Sequence, residues 1–196
     1  MSYSALVIAG GHSRRMGQDK ASLRQPQTGK SLLAHQLALL RQLSPPPDSL
    51  LVSARSEQML PAYPAEVVRV DDRGDQGPLG GLCATLSATT CSHLLVVPVD
   101  LPEMDTTTLQ ALLDHCTPGH GSVARSPEGL EPLVAVYPRS SALPLASALR
   151  EGRLGLQRLL QSAAMAPLFP VLHLLACKVF TNWNTLKYPS VHDDFY

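Results

Sequence analysis

The chain has 196 residues and 21.1 kDa, with 16 Lys+Arg balanced by 16 Asp+Glu. That length suits one domain over 1–196 that buries its own core, and 44% hydrophobic against 16% charged residues excludes a disordered chain. Zero net charge and a pI near 7.0 argue against nucleic acid or an anionic membrane surface as a partner. In chain order, Tyr3-Ser4-Ala5-Leu6-Val7-Ile8 is a continuous apolar run that predicts a buried strand. Ser31 then caps a helix in which Leu32, Leu33, Leu37, Leu40 and Leu43 recur at helical spacing. Short strands are predicted at 50–53 and 66–70, a helix at 79–89, and a fully buried strand at 93–97. A helix at 106–115 precedes strands near 122–125 and 133–137, helical pieces near 140–150 and 156–163, and a last strand at 168–174.

Apolar strands alternating with amphipathic helices predict an α/β protein with a mostly parallel sheet between two helical layers. Folds of this kind bind ligands at the carboxyl ends of their strands. No apolar run reaches the 18 residues that a bilayer span needs. Residues 5–9 are too few for a signal-peptide core and follow no basic segment, so a cytoplasmic location is expected. Cys83, Cys91, Cys116 and Cys177 show no C-x-x-C spacing and are expected as free thiols. His115, Cys116 and His120 fit no common zinc pattern.

After the first strand the chain reads Ala9-Gly10-Gly11-His12-Ser13-Arg14-Arg15-Met16-Gly17-Gln18-Asp19-Lys20. Glycines let such a backbone turn sharply and approach a ligand, and successive N–H groups can cradle anionic oxygens. Arg15 and Lys20 add two cations, the combination a nucleoside triphosphate needs. The spacing is not G-x-G-x-x-G, because Gly10 and Gly11 are adjacent. Gly29-Lys30-Ser31 is not a P-loop ending, because Arg24 stands where its first glycine belongs. Beyond the fourth long apolar run, Asp100 in Val97-Pro98-Val99-Asp100-Leu101-Pro102 is a candidate magnesium ligand. Asp71 and Asp72 follow the 66–70 run as alternative nucleotide contacts. Gly77-Pro78-Leu79-Gly80-Gly81 opens a helix with backbone bare enough for a base or ribose to approach.

The segment from Ile8 to Lys20 resembles the L-A-G-G-x-S-x-R-M-G-x-D-K signature of the MobA-like nucleotidyltransferases, in particular the molybdenum cofactor guanylyltransferases. Matches at 77–82, 97–102, 131–137 and Asn182-Trp183-Asn184-Thr185 follow in the same order over most of the chain. The resemblance implies a three-layer Rossmann-like nucleotidyltransferase fold. It also implies transfer of GMP from GTP to Mo-molybdopterin, with pyrophosphate released and Mg2+ as cofactor. By the same resemblance Arg15, Lys20 and Asp100 are catalytic and Asp100 holds the metal. Ile8, Ala9, Gly10, Gly11, Ser53, Asp71 and 77–81 (Gly77, Pro78, Leu79, Gly80, Gly81) meet the nucleotide, and Asn182 and Asn184 meet the acceptor. Asp71 takes the family position if its loop is one residue shorter. Leu186 and Lys187 stand where the family has Pro and an acidic residue. The alternatives are a related transferase using CTP or another phosphorylated acceptor, and a non-catalytic module holding nucleotide or molybdopterin. Transient contact with other molybdenum cofactor biosynthesis proteins or molybdoenzyme chaperones is a further implication.

Overall fold

Every residue of β1 (Tyr3–Ile8) is buried, and the strand divides by parity. Tyr3, Ala5 and Val7 face the core built with α1 (Leu32–Arg41) and α3 (Thr106–Asp114). Leu6 and Ile8 face the core built with α2 (Gly77–Ala88), α4 (Ala142–Arg150) and α5 (Leu156–Leu160). A strand covered on both faces has no polar alternation, which is why it reads as one apolar run. The computed structural model describes residues 1–10, 19–72, 76–174 and 177–181, apart from the Cys177 side chain.

The remaining strands are β2 (Ser49–Arg55), β3 (Val68–Asp72), β4 (His93–Pro98), β5 (Ser122–Ser126), β6 (Gly129–Pro138) and β7 (Val171–His173). Among the described residues they form one seven-stranded sheet in the order β3-β2-β1-β4-β6-β5-β7. Only β6 runs against its neighbours; β3, β2, β1 and β4 are mutually parallel, as are β5 and β7. The order reverses its direction of growth between β1 and β4, which opens a crevice at the carboxyl ends of those two strands. Helix caps match the sequence: Ser31 Oγ accepts from Ala34 N at 3.2 Å, and Asp105 Oδ1 accepts from Thr108 N at 2.7 Å.

Three departures from the expected elements bear on the site. β3 begins two residues later than its apolar pattern suggests and carries Asp71 and Asp72 inside the strand. Its ladder starts at Leu51↔Val68, while Val67 closes a turn onto the Pro64 carbonyl and buries its side chain in the core. β6 is longer than expected, because its pairing with β5 jumps from Val123↔Ala135 to Ala124↔Glu131. Residues 132–134 are looped out as a bulge, which suits Pro132 with its missing N–H. β7 is shorter than expected because Pro167 sits in a 3-10 turn (Ala166–Leu168) and Pro170 follows.

No helix among the described residues is long and apolar enough to cross a membrane. Cys83, Cys91 and Cys116 are free, and burial pushes the Cys83 thiol up to about 11. Cys116 Sγ donates to the Leu112 carbonyl at 3.3 Å, and no cluster of three or more His, Cys, Asp or Glu that could hold a metal occurs among the described residues.

Candidate active site

Two loops meet in the crevice at the carboxyl ends of β1 and β4. The first leaves β1, and the described chain resumes at Asp19 and a 3-10 turn (Lys20–Ser22). Asp19 Oδ1 caps that turn by accepting from Ala21 N at 2.9 Å. The second leaves β4 at Pro98, and Val99 N extends the ladder to the Ile8 carbonyl at 3.0 Å. Lys20 Nζ donates to Asp100 Oδ2 at 2.8 Å, with the two side chains 17% and 18% exposed. Residues 80 apart in sequence thus form one ion pair at the switch point of the sheet.

Buried glutamine holds the second loop. Gln36 Nε2 on α1 donates to the Leu101 carbonyl at 2.7 Å, directly after Asp100. Asp100 opens onto a cleft of about 740 Å³, lined in part by Glu128, Glu131, Pro132, Leu133 and Val134. The bulge in β6 therefore supplies part of the lining of the cleft that Asp100 opens onto. Two more carboxylates, Glu128 and Glu131, line the same cleft. Any anion entering here meets negative charge unless cations stand between.

The residues of the glycine loop that are described have structural partners. Ala9 N and Gly10 N donate to the Ser53 carbonyl at 2.9 and 3.0 Å. Ile8 is 4% exposed, in the core. These N–H groups are engaged with β2, so Ile8, Ala9 and Gly10 shape the start of the loop without offering free backbone donors. Gly11 and Arg15 lie outside the described residues, as do Asn182 and Asn184.

On β3 the two aspartates point to opposite faces, as alternation requires. Asp71 shares the face of Arg69 and accepts from its Nε at 3.1 Å, with its side chain 63% exposed. Asp72 is 5% exposed and lies between glycines. A Cβ on Gly10 would stand 3.0 Å from its Oδ2, and a Cβ on Gly80 3.0 Å from its Oδ1.

Helix α2 begins at Gly77, whose φ of +57 favours glycine, followed by Pro78 at the start of the helix. Leu79 is fully buried in the core. Gly80 and Gly81 are buried, and a Cβ on Gly81 would fall 2.2 Å from Ser53 Oγ. Gly81 thus serves close approach of α2 to β2, where an exposed surface for a base was expected. Gly80 does line a groove of about 400 Å³ with Asp71, Gln76 and Cys83.

The model of the MobA-like NTP transferase domain matches residues 5–167. The chain belongs to the MobA-like NTP transferase family. It is 36% identical over 155 residues to a probable molybdenum cofactor guanylyltransferase of Opitutus terrae, covering 78% of this chain and 74% of that protein. It is 32% identical to a protein of the same description from Synechococcus elongatus, over 95% of this chain and 99% of that one. The fold matches the crystal structure of molybdopterin-guanine dinucleotide biosynthesis protein A from Archaeoglobus fulgidus. That match has a TM-score of 0.60 at 23% identity, over 87% of this chain and 82% of that one.

Ser53 of this MobA-like chain is fully buried, and its Oγ has no hydrogen-bond partner among the described residues. Removing a buried, unsatisfied hydroxyl relieves a desolvation cost. Ser53→Ala is therefore expected to leave thermal stability unchanged or raise it by about 1 kcal/mol. Nucleotide affinity measured by calorimetry should be unaltered; a clear loss would make Ser53 a ligand contact.

Sequence inspection missed three polar residues that hold this site. Gln36 carried a signal, since it occupies a core-facing position among Leu32, Leu33, Leu37 and Leu40. Arg69 carried none: its guanidinium donates to the carbonyls of Arg55, Ser56 and Gln58 and so staples the turn after β2. Gln58, in that turn, looks in sequence like a solvent-facing residue but is 6% exposed.

Proposed function

We propose that this chain is a molybdenum cofactor guanylyltransferase, joining GMP from GTP to Mo-molybdopterin and releasing pyrophosphate. The observation that carries the proposal is the Lys20–Asp100 pair at the switch point of the sheet in a MobA-like transferase chain. The names of the curated relatives support the same substrates.

An oxygen of the acceptor's phosphomonoester attacks the α-phosphorus of GTP. The bond from that phosphorus to the oxygen bridging the α and β phosphates breaks, and its electrons leave with pyrophosphate. A phosphomonoester has a second pKa of about 6, so its nucleophilic oxygen is already largely ionised near neutral pH. Positioning and charge neutralisation are then the protein's tasks.

Lys20 places its ammonium beside the phosphates and exchanges its carboxylate partner for phosphate oxygens. We assign the nucleoside-side carboxylate to Asp72, supported by its position between Gly10 and Gly80. Asp71 instead anchors Arg69. The cleft beside Asp100 receives the acceptor, its shape set by the bulge at 132–134.

Asp100 also fits a divalent cation. Its one hydrogen bond among the described residues uses Oδ2, and it opens onto a cleft with two further carboxylates. Magnesium takes one or two carboxylates and completes its shell with water and phosphate oxygens, so a lone protein ligand suffices. Bound to Asp100, Mg2+ would supply Lewis-acid neutralisation of the triphosphate.

Pyrophosphate release in the presence of molybdopterin and magnesium tests the assignment, with GTP run against CTP. Faster release from CTP would overturn the guanylyl assignment. Binding without release would make the chain a carrier. Lys20→Ala is expected to weaken GTP binding by about tenfold or more, from loss of a charge-assisted contact of roughly 1.5–3 kcal/mol. Unchanged affinity in calorimetry would remove Lys20 from the phosphate site.

A further inference from the structure

We propose that Gln58 is a positioning residue that sets Lys20 against the end of β1 by gripping both flanks of the intervening loop with one side-chain amide. This rests on the reading of Lys20 as the phosphate cation. Gln58 Nε2 donates to the Ala9 carbonyl at 3.0 Å and to Asp19 Oδ2 at 2.7 Å. Ala9 directly follows β1, and Asp19 directly precedes Lys20. Two positions ten residues apart are thus joined through one nitrogen. Its Oε1 accepts from Arg55 N at 3.2 Å, which fixes the orientation of the amide.

The arrangement requires a neutral amide. An amide alone combines two donors for the Ala9 carbonyl and the Asp19 carboxylate with an acceptor for Arg55 N–H, which a lysine or arginine lacks. The other oxygen of that carboxylate caps the turn that carries Lys20, so the grip reaches Lys20 through Asp19. Behind Gln58, Arg69 binds three carbonyls of the turn, and Asp71 binds Arg69. A continuous polar chain therefore links β3 to the Lys20–Asp100 pair. The bonds of Gln58 are shielded from water, which strengthens them and makes their loss costly.

The test is calorimetric affinity for GTP with magnesium, read beside the urea unfolding midpoint. Gln58→Met keeps the length and removes both donors. Gln58→Glu keeps the shape and sets a second carboxylate against Asp19. Leu86→Ala is the control, a core truncation near the end of α2 remote from the carboxyl ends of the strands. Wild-type protein is expected to bind. Gln58→Met is expected to bind about tenfold more weakly and Gln58→Glu more weakly still, the scale of losing charge-assisted hydrogen bonds. Leu86→Ala should lose as much stability as either and keep its affinity. Arg69→Met, which touches neither Ala9 nor Asp19, should show a smaller loss of affinity.

Wild-type affinity retained in Gln58→Met, or in Arg69→Met if the former does not fold, would overturn the proposal. Equal weakening in Leu86→Ala would also overturn it, because the effect would then follow stability alone. If wild-type protein binds no GTP, the phosphate-site reading itself falls, and the role of Gln58 with it.

Discussion

Asp100→Asn is expected to lower pyrophosphate release by about a thousandfold while the protein remains folded, the scale of removing one preorganised electrostatic group from a transfer site. The asparagine keeps an oxygen that can accept from Lys20 Nζ, and the native pair is partly exposed, at 17% and 18%. Breaking such a pair costs about 1 kcal/mol, far less than a fully buried one. Asp100→Ala should behave alike in turnover but melt slightly lower, since it leaves Lys20 without its partner. Circular dichroism and a thermal melt, run beside the magnesium-dependent assay, separate the two effects. A variant with near-normal turnover would exclude Asp100 from the chemistry.

The second large effect is on the fold. Gly81→Ala should destabilise the protein by about 3 kcal/mol and lower its melting temperature by about 6–12 °C. The added methyl would meet Ser53 Oγ at 2.2 Å and Ser53 Cβ at 3.1 Å. Rotating the serine hydroxyl away does not relieve the second contact. With Ser53 itself buried, that contact is relieved only by a small separation of α2 from β2. Adding Ser53→Gly should restore most of the loss, less about 0.5–1 kcal/mol for glycine within a strand. A double-mutant cycle reads the coupling directly; additive effects would show that Gly81 is not needed for contact with Ser53.

The strands buried on both faces were plain in the sequence. β1 appears at its expected bounds and β4 extends only to Pro98. Asp100 and Lys20 could be placed from these two alone, because the ends of parallel neighbours lie together. The edge strand β3 was harder. Val67 is buried by a turn rather than by the ladder, so an apolar pattern counts it as strand and stops before the aspartates. With both aspartates in an assumed loop, alternation could not choose between them. Inside the strand, alternation puts Asp72 with Val70 on the α2 side and Asp71 with Arg69 on the other. The bulge in β6 and the bonds of Gln58 depend on contacts distant in sequence, and no local pattern marks them.

Under the proposed function, the jump in register between β5 and β6 lets the acceptor side vary apart from the nucleotide side. Residues 132–134 reach the cleft without carrying any of the ladder that supports Lys20, Asp72 or Asp100. Under that function, a change at Pro132 or in the length of this bulge would remodel the acceptor side, with Val134 held in the core. Related chains could diversify what they accept through this one short stretch, with the triphosphate machinery inherited whole.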